Sequence, residues 1–472
     1  MSFSLPARWS SSTAWRGADS MSERRDRWMI PVLMVGAFLG SLSQNMLTSA
    51  LPVILAEFQI SALVGQWLTT IYLLILGVIT ALTAYLFQRV RTRVLLEVSL
   101  LLFVGGCLLA LLAPAFWALL LARAIQACGS GVLIPVLQMI LLHLYPAEQQ
   151  GRALGLSGIV IGFAPAVGPS VAGVLVDAFG WRSLFWLLLL AALAVATAGI
   201  FTFRQVGVPR RPPLRLGSAV LYGAGFSTFM LAVTRLGEAG TSAALTLILL
   251  LVGGGLLVWF IRVQLREPAP LLHLALFRHR SMVVGTALMV LAYTAMTSGT
   301  ILVPLYVQAI CGRSATVSGL VLLPGSLLLA ALSPVTGRLT DRFGIQRVAA
   351  VGLVLLLAGT GGFAAVSAGT APALAALIYA ARSAGLAFLL MPLTAYAVST
   401  LPLDEASQGM AILNSLRQIG GSLCSTLLVL AATAVSAGGT LDLTGFRAAA
   451  LLTAAPVLLS LLLWLRRRTS PI

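Results

Sequence analysis

The chain has 472 residues, of which 59% are hydrophobic and only 9% are charged. Soluble domains carry about 25% charged residues, so the composition excludes a soluble protein, and its apolar content excludes a disordered one. Glycines without a fixed period and only four cysteines exclude collagen-like and disulfide-rich classes. The net charge of +17, carried by 30 arginines and no lysine, leaves nucleic-acid binding or the positive-inside bias of a membrane protein.

Fourteen apolar stretches are long enough to form membrane-spanning helices, which need about 20 residues each. They cover 28–50, 62–86, 94–113, 116–143, 153–176, 183–203, 216–236, 242–262, 282–305, 315–336, 348–368, 371–396, 408–436 and 446–465. Barrel strands would alternate apolar and polar residues, and these stretches do not. The predicted fold is therefore an all-α polytopic membrane protein with fourteen transmembrane helices and no separate soluble domain.

The arginines lie mainly on one side of these spans. An even number of spans places both termini on the same side, and 23 of the 30 arginines lie in the tails and loops of that side. Four lie on the other side, and Arg123, Arg382 and Arg417 lie within spans. The positive-inside rule then places both termini in the cytoplasm. The charge is a consequence of topology, which removes the reason to expect nucleic-acid binding.

Two loops of similar sequence indicate an internal repeat. AYLFQRVRTR at 84–93 follows the second span, and GRLTDRFGIQR at 337–347 follows the tenth. If they correspond, the chain consists of two six-helix bundles with the seventh and eighth spans between them. The predicted division is a cytoplasmic tail (1–27), an N-terminal bundle (28–203), a linker with two additional helices (204–281), a C-terminal bundle (282–465) and a cytoplasmic tail (466–472).

Parallel repeats of this kind occur in major-facilitator transporters, and several motifs resemble that superfamily. The second loop resembles its G-x-x-x-D-R-x-G-x-x-R signature, and the fourth span contains RAIQACG from Arg123, similar to the R-x-x-Q-G-x-G element. The glycines of the fifth span, ending in a Gly-Pro pair, resemble the antiporter element. By this resemblance, gating and conformational change are assigned to Gly337, Asp341, Arg342, Gly344, Arg347, Gly162, Gly168, Pro169, Gly173, Arg89 and Arg93.

With fourteen spans, the chain resembles the drug:proton antiporter family, and within it the lincomycin-resistance-type multidrug exporters. Five stretches carry this likeness: QWLTT at 66–70, FAPAVGP at 163–169, VPLYVQ at 303–308, LLPG at 322–325 and NSLRQIGGS at 414–422. The resemblance implies efflux of amphipathic drugs or other organic compounds by alternating access, driven by protons, by a monomer in the bacterial plasma membrane. Enzymatic activity is not expected, because the histidines are isolated and no acid lies mid-span. No cofactor or metal is expected, because cysteines and histidines are not grouped at metal-ligand spacing.

Two departures from the family bear on proton coupling. Its first span usually has an aspartate where this chain has Ser43, and its first loop motif has an acid where this chain has Gln88. None of the 13 acidic residues falls in the middle of a span, although proton relays in membranes usually use carboxylates. The remaining proton-coupling candidates are Glu97, Asp177 and Asp341. Glu97 paired with Arg93 or Arg91, and Asp177 as an outer loop residue, are the structural alternatives. The functional alternative is an exporter or facilitator of a specific metabolite or lipid-like compound without proton coupling.

Polar residues within the spans indicate a substrate pathway. Four of the six positions 43–48 are polar, more than helix packing requires, although interhelical hydrogen bonding is the alternative. Arg123 cannot realistically lose its proton, so it acts electrostatically, or it is a structural arginine held by carbonyls and Gln126. The expected pathway comprises Ser43, Gln44, Asn45, Thr48, Gln66, Tyr72, Arg123, Gln126, Gln138, Asn414 and Arg417.

Overall fold

The computed structural model describes residues 15–60, 62–65, 67–146, 149–206, 216–236, 242–267, 270–313, 315–367, 369–435 and 443–468, which are almost entirely helical. The first half contains α1 (Trp15–Phe58), α2 (Ala62–Gly65), α3 (Trp67–Arg89), α4 (Thr92–Leu111), α5 (Phe116–Leu144), α6 (Gln150–Phe179) and α7 (Arg182–Thr202). Next come α8 (Leu216–Leu236), α9 (Ala243–Arg266) and a 3-10 helix (Leu274–Arg278). The second half contains α10 (Arg280–Pro304), which a π-helical turn (Leu305–Ile310) extends, α11 (Ala315–Phe343), α12 (Ile345–Ala365), α13 (Pro372–Ala387), α14 (Leu390–Val398), α15 (Leu403–Val435) and α16 (Leu443–Arg468).

Twelve helices in the described ranges are long and apolar enough to cross a membrane. Each of the fourteen predicted spans corresponds to one helix or, for the second and the twelfth, to two consecutive helices, but two spans fall short of that standard. They are α8, whose apolar part is only Gly217–Val233, and α15, which carries several polar side chains along its length. The all-α polytopic architecture is confirmed, whereas the count of fourteen spans is not. α1 begins at Trp15, within the segment expected to be a tail.

The two halves repeat the same pattern of helix packing. In the first half α5 packs against α3 and α4, and α1 packs against α6 and α7. In the second half α13 packs against α11 and α12, and α10 packs against α15 and α16. Glycine allows the close approach of α4 to α5 in the first half and of α12 to α13 in the second half. A methyl group on Gly129 would lie 2.3 Å from the Ser99 carbonyl oxygen, and one on Gly385 would lie 2.6 Å from the Leu356 nitrogen.

The inserted helices α8 and α9 pack against each other at the junction of the halves. α8 also contacts α3 and α15, so it touches one helix from each half. The Phe226 ring of α8 fits against Gly77 of α3, where a methyl group would lie 2.3 Å from the ring. α9 exposes a continuous apolar surface that includes Ile248, Leu251 and Trp259. Such a surface is suited to a bilayer, because apolar side chains in contact with lipid chains avoid the unfavourable free energy of exposure to water.

Candidate functional site

Arg123, on α5, is only 1% exposed and lies among uncharged partners in the first half. Its Nη1 donates hydrogen bonds to Ser43 Oγ at 2.9 Å and to Gln126 Oε1, and its Nη2 lies 3.3 Å from the Ser43 carbonyl oxygen. The guanidinium carbon lies 4.0 Å from the centre of the Tyr72 ring, where the electron-rich face stabilises a cation. The structure thus brings four predicted pathway residues into one buried group.

Ser43 faces Arg123 from the position where the family resemblance would place an aspartate. Its hydroxyl accepts a hydrogen bond but brings no negative charge. In the described part of the chain, the ion pairs are Arg93–Glu97 and Arg182–Glu57, and all four residues are partly or fully exposed. The partners that the structure gives Arg123 are therefore dipoles, a carbonyl and an aromatic face, with no carboxylate among them.

Tyr72 connects Arg123 to the wall of a central cavity. Its hydroxyl is hydrogen-bonded to the Gly40 carbonyl oxygen at 2.9 Å and to Ser130 Oγ at 2.7 Å. Gly40 and Ser130 both line the cavity, whereas Tyr72 is fully buried behind them. Arg123 therefore lies behind the wall and is connected to it by its cation–π contact with Tyr72 and by the hydrogen bonds of the Tyr72 hydroxyl.

Arg382 repeats this arrangement in the second half. It lies on α13, the counterpart of α5, and is completely buried. Its Nη2 lies 2.6 Å from Ser298 Oγ and 2.6 Å from the Ala295 carbonyl oxygen, both on α10, the counterpart of α1. Its Nε and Nη1 have no hydrogen-bond partner among the described residues. Ser298, which contacts Arg382 as Ser43 contacts Arg123, was not predicted from the sequence, and the internal repeat was the signal that could have drawn attention to α10.

A cavity of about 130 Å³ lies between the two halves. Its wall is formed by α1, α3, α5 and α6 from the first half and by α10 and α15 from the second. The polar lining residues are Ser41, Gln44, Asn45, Thr80, Ser130, Tyr293, Thr297, Thr300, Asn414, Arg417 and Gln418, and the apolar ones include Leu76, Ile134, Ile161 and Met296. Within the described part of the chain, no acidic side chain lines this cavity.

Four predicted pathway residues lie directly on the cavity wall: Gln44, Asn45, Asn414 and Arg417. Five others are buried and do not line it: Ser43, Tyr72, Arg123, Gln126 and Gln138. Gln66 and the side chain of Thr48 lie outside the described parts of the chain. Sequence analysis did not select the α10 residues Tyr293, Thr297 and Thr300, because hydroxyl groups in an apolar helix also bond their own backbone and carry no positional signal.

Arg417 supplies the cationic group of the cavity wall. It lies on α15, is only 7% exposed, and its guanidinium carbon lies 4.8 Å from the centre of the Tyr293 ring. Its Nε and Nη1 have no hydrogen-bond partner in the described ranges. A buried donor without a partner is costly, and more so when it is charged. The side chain is thus a cation at the cavity with unused hydrogen-bonding capacity.

Asn414 and Gln138 join the halves beneath the cavity. Asn414 Nδ2, on α15, donates to Gln138 Oε1, on α5, at 2.8 Å. Gln138 Nε2 lies 3.4 Å from Ser157 Oγ on α6, which extends the network. The Oδ1 atom of Asn414 is buried and has no partner among the described atoms. This bond therefore connects helices that belong to different halves, and a separation of α5 and α15 at this level would break it.

Asp341 joins the halves at the end of α11. Its Oδ2 accepts a hydrogen bond from the Arg152 backbone nitrogen at 3.0 Å, at the first turn of α6, where unpaired N–H groups favour an anion. The helices are very close here: a methyl group on Gly337 would lie 2.3 Å from the Gly151 carbonyl oxygen. We call this contact, formed by Gly151, Arg152, Gly337 and Asp341, the α6–α11 junction.

The other residues assigned to gating occupy three settings. Gly162 packs against Leu329 of α11 and Gly168 against Asn45 of α1, whereas nothing lies within 4 Å of the methyl position of Gly173. Pro169 lies inside α6, where it lacks the N–H that continues the helix. The remaining residues lie near the ends of α3, α4, α11 and α12: Arg89, Arg93, Arg342, Gly344 (φ 78°) and Arg347.

Glu97 and Asp177 lie away from the cavity. Glu97 pairs with Arg93 one turn earlier on α4, at 2.7 Å and partly exposed. This is one of the two pairings that the sequence left open. Asp177 is exposed near the end of α6. Of the three proton-coupling candidates, only Asp341, which lies on α11 in the second half, is hydrogen-bonded to the other half in the described structure. None of the described carboxylates lies on the cavity wall.

A cluster at the C-terminal end of α1 was not predicted from the sequence. Glu57 Oε2 accepts a hydrogen bond from Trp181 Nε1 at 2.6 Å, and Glu57 Oε1 pairs with Arg182 Nη1 at 2.6 Å. The Arg182 guanidinium lies 4.2 Å from the centre of the Trp181 ring. Glu57 lies beyond the span Trp28–Leu47, and the hydrogen bond from Arg182 holds its pKa below the ordinary 4.5. The cluster fastens the end of α1 to the start of α7.

Comparison with known proteins agrees with this architecture. The family model described as Major Facilitator Superfamily matches residues 33–425. The chain is 34% identical over 401 residues to the uncharacterised MFS-type transporter YcnB of Bacillus subtilis, covering 85% of each chain. It is 32% identical over 412 residues to the lincomycin resistance protein LmrB of Listeria monocytogenes, covering 87% of each, which confirms the likeness to lincomycin-resistance-type proteins.

A solved structure shows the same fold. The human organic anion transporter MFSD10 (TETRAN) superposes with a TM-score of 0.65, covering 93% of this chain and 99% of that one. At 15% sequence identity this likeness concerns the fold alone. The family match covers most of the chain, and the repeated bundles, the motifs and the relatives point the same way. The chain belongs to the major facilitator superfamily of multi-pass membrane transporters.

Proposed function

We propose that this protein exports amphipathic organic compounds, drugs among them, across a bacterial plasma membrane. The observation that carries the proposal is the central cavity, which lies between the two halves and combines amide and hydroxyl groups with apolar side chains. Such a mixed lining suits compounds that have both apolar and polar parts. The relative named as a lincomycin resistance protein supports drug efflux as the physiological role.

The transport cycle follows from rocking of the two repeats around the cavity. Closure at one end is provided by the α6–α11 junction and by the Asn414–Gln138 bond, both of which connect the halves. The arginine distribution assigns that end to the cytoplasm. In this conformation the cavity is closed toward the cytoplasm, and breaking both contacts would open it to substrate from inside the cell. We propose that the protein does this as a monomer with both termini cytoplasmic.

Proton antiport is the proposed means of energy coupling, and Asp341 is the proposed site of protonation. Its hydrogen bond from the Arg152 backbone nitrogen is stronger when the carboxylate is charged, so protonation would weaken the α6–α11 junction. Coupling would then act on the conformational change without a carboxylate in the cavity. The second candidate is an exporter or facilitator of a specific metabolite or lipid-like compound without proton coupling. It is favoured by the lack of acidic side chains in the described lining.

The first test is a resistance assay in an efflux-deficient bacterial host. Expression of the chain should raise tolerance to at least one compound of a panel of lincosamides, dyes and detergents of different charge, and the Arg123→Ala and Asp341→Asn variants should lower it again. Comparable amounts of each variant in the membrane must be verified. Unchanged sensitivity to the whole panel would contradict drug export.

The second test measures coupling in proteoliposomes. Efflux of a compound from the first assay is followed with and without an imposed pH gradient, with protein-free liposomes as the control. Proton antiport predicts that the gradient accelerates efflux and that Asp341→Asn removes the acceleration. If the efflux rate of the native protein is the same with and without the pH gradient, the result favours a transporter without proton coupling.

A further inference from the structure

The feature that goes beyond general drug efflux is the uncompensated positive charge around the cavity. Arg417 is on the wall, and Arg123 lies behind it through Tyr72 and Ser130. Arg382 bonds α10 at Ala295 and Ser298, next to the lining residues Met296 and Thr297. Their described hydrogen-bond partners are uncharged, and the described lining contains no acid. The field inside the cavity is therefore positive, and screening is weak in a low-dielectric surrounding.

The hydrogen-bonding groups point to the same kind of ligand. Arg417 keeps two donors, Nε and Nη1, without partners in the described ranges. Guanidinium groups bind carboxylate, sulfonate and phosphate oxygens with strong charge-assisted hydrogen bonds. The amides of Gln44 and Gln418 line the same cavity and bring further N–H donors. A cationic head group would find the opposite environment, because the described lining provides no carboxylate to receive it.

The size of the cavity limits what enters it in this conformation. Its volume is about 130 Å³, close to that of an engineered protein cavity of about 150 Å³ that holds one benzene molecule. It therefore accommodates a head group of that size, such as an aryl carboxylate. The Tyr293 ring and the Met296 side chain give an aromatic ring apolar contact beside Arg417.

We propose that the cavity is a subsite for the anionic head group of an amphipathic substrate, with Arg417 as the residue that binds it. This inference rests on the proposed export of amphipathic compounds and specifies the class: carboxylates and similar organic anions are preferred over neutral and cationic analogues. Arg123 and Arg382 are positioning residues that contribute to the field without touching the ligand. The anion supplies the negative charge that the described lining lacks.

The test compares three probes that share one apolar body: pyrenebutyrate, pyrenebutanol and pyrenebutyl-trimethylammonium. Binding to the full-length protein in nanodiscs of zwitterionic phosphatidylcholine is measured by equilibrium dialysis, with empty nanodiscs as the blank. The native protein should bind the carboxylate about tenfold or more tightly than the alcohol, since a hydrogen bond to a charged group has about that effect. The cation should bind more weakly than either.

Variants then assign the preference to Arg417. Arg417→Gln should reduce affinity for the carboxylate to that for the alcohol, while affinity for the alcohol changes by no more than about twofold, since the alcohol does not use the charge. Arg417→Lys should restore part of the preference, because the charge returns without the fork of donors. Arg266→Gln, which removes an exposed arginine at the end of α9, is the matched control and should leave all three affinities unchanged.

Two results would overturn the proposal. One is native protein that binds the alcohol or the cation as tightly as the carboxylate, a comparison that needs no variant and so does not depend on variant folding. The other is a preference for the carboxylate that survives intact in Arg417→Gln. If the alcohol is still exported from vesicles in these cases, the proposed function stands and only the anion subsite fails. If none of the three probes is bound or exported, both the proposed export function and the anion subsite are contradicted.

Discussion

Arg123 and Arg382 place positive charges within the protein interior, each bonded to a serine of the first helix of its half. An isolated charge in a membrane is costly, by about 3 kcal/mol on insertion scales and more in simulations. Carbonyls, hydroxyls and aromatic faces lower this cost here, and in the first half Tyr72 and Gln126 add to them. Ser43 therefore supplies two uncharged acceptors to Arg123, its hydroxyl and its carbonyl oxygen.

The position of Ser43 allows a direct test of this role. Introducing an acid with Ser43→Asp should be tolerated, because the new carboxylate would face the Arg123 guanidinium and form an ion pair. Combining S43D with R123Q should be far more damaging, since a buried carboxylate without its cation costs about 3–5 kcal/mol. The fraction of protein that remains monodisperse in size-exclusion chromatography after heating measures the difference.

R123Q alone is the control, because it removes the cation without adding an acid. The double variant should be less stable than either single variant by a clear margin. Equal stability of S43D and the S43D/R123Q double variant would show that residue 43 and Arg123 do not interact as the structure indicates.

Glu57 provides a prediction about pH. Its pKa lies below the ordinary 4.5, chiefly because Arg182 donates a hydrogen bond to the charged form. The stabilisation is therefore present above pH 4.5 and is lost as the pH falls through the lower, folded-state pKa. The pair is about two-fifths exposed, so its contribution is below about 1 kcal/mol. Melting temperatures between pH 7 and pH 3.5 should fall less steeply in Glu57→Gln than in the native protein.

The comparison is Asp177→Asn, which exchanges an exposed acid for which the described residues provide no ion-pair partner, and it should leave the native pH profile unchanged. If Glu57→Gln reproduces the native profile, the cluster at the end of α1 makes no measurable contribution to acid stability.

At the scale of helices, the sequence predicted where each element lies but not every interruption. The twelfth predicted span is divided into α13 and α14, because Pro392 has no N–H to donate to the Phe388 carbonyl. The stretches assigned to α8 and α15 are helical, yet polar residues such as Asn414 and Arg417 lower the apolarity of α15. Which side chains face the cavity depends on helix rotation, which the sequence does not fix. Gln44 and Arg417 could be predicted as pathway residues because amide and charged side chains are unusual within apolar spans. Thr297 and Thr300 could not, because hydroxyl groups in a helix also bond their own backbone.

The α6–α11 junction gives a prediction for a whole element. Gly337→Ala should force α6 and α11 apart at this end, because the added methyl group would lie 2.3 Å from the Gly151 carbonyl oxygen. Overpacking of this kind costs about 1–3 kcal/mol, which would shift a two-state equilibrium by roughly tenfold to a hundredfold. Spin labels at Gln149→Cys and Gln346→Cys, in a chain without its native cysteines, should report longer separations.

Gly173→Ala is the control on α6, since nothing lies within 4 Å of its methyl position and the added group meets no atom of α11. It should leave the label separation unchanged. Identical distance distributions for the native chain and Gly337→Ala would mean that the junction tolerates the methyl group and does not control the opening of this end.

At the scale of the whole molecule, the internal repeat explains most of what the sequence revealed. The loop motifs at 84–93 and 337–347 were enough to predict two equivalent halves, and the helix contacts of each half match the other. The position of the cavity could not be predicted in the same way. The cavity forms between the halves, and the repeat does not determine which residues of one half face which residues of the other. The Asn414–Gln138 bond joins residues 276 positions apart, and no local pattern in either helix predicts it.

The arginine distribution leads to a prediction for the orientation of the whole chain. Gln346, beside the arginine-rich loop, should lie in the cytoplasm, and Gln59, beyond α1, should lie outside. Both are exposed, so a cysteine at either position should react with a membrane-impermeant maleimide once the reagent reaches it. In intact cells Gln59→Cys should be labelled and Gln346→Cys should not; after permeabilisation both should be labelled. Because the cytoplasmic assignment of the α6–α11 junction depends on this orientation, labelling of Gln346→Cys alone in intact cells would reverse the direction of the proposed transport cycle.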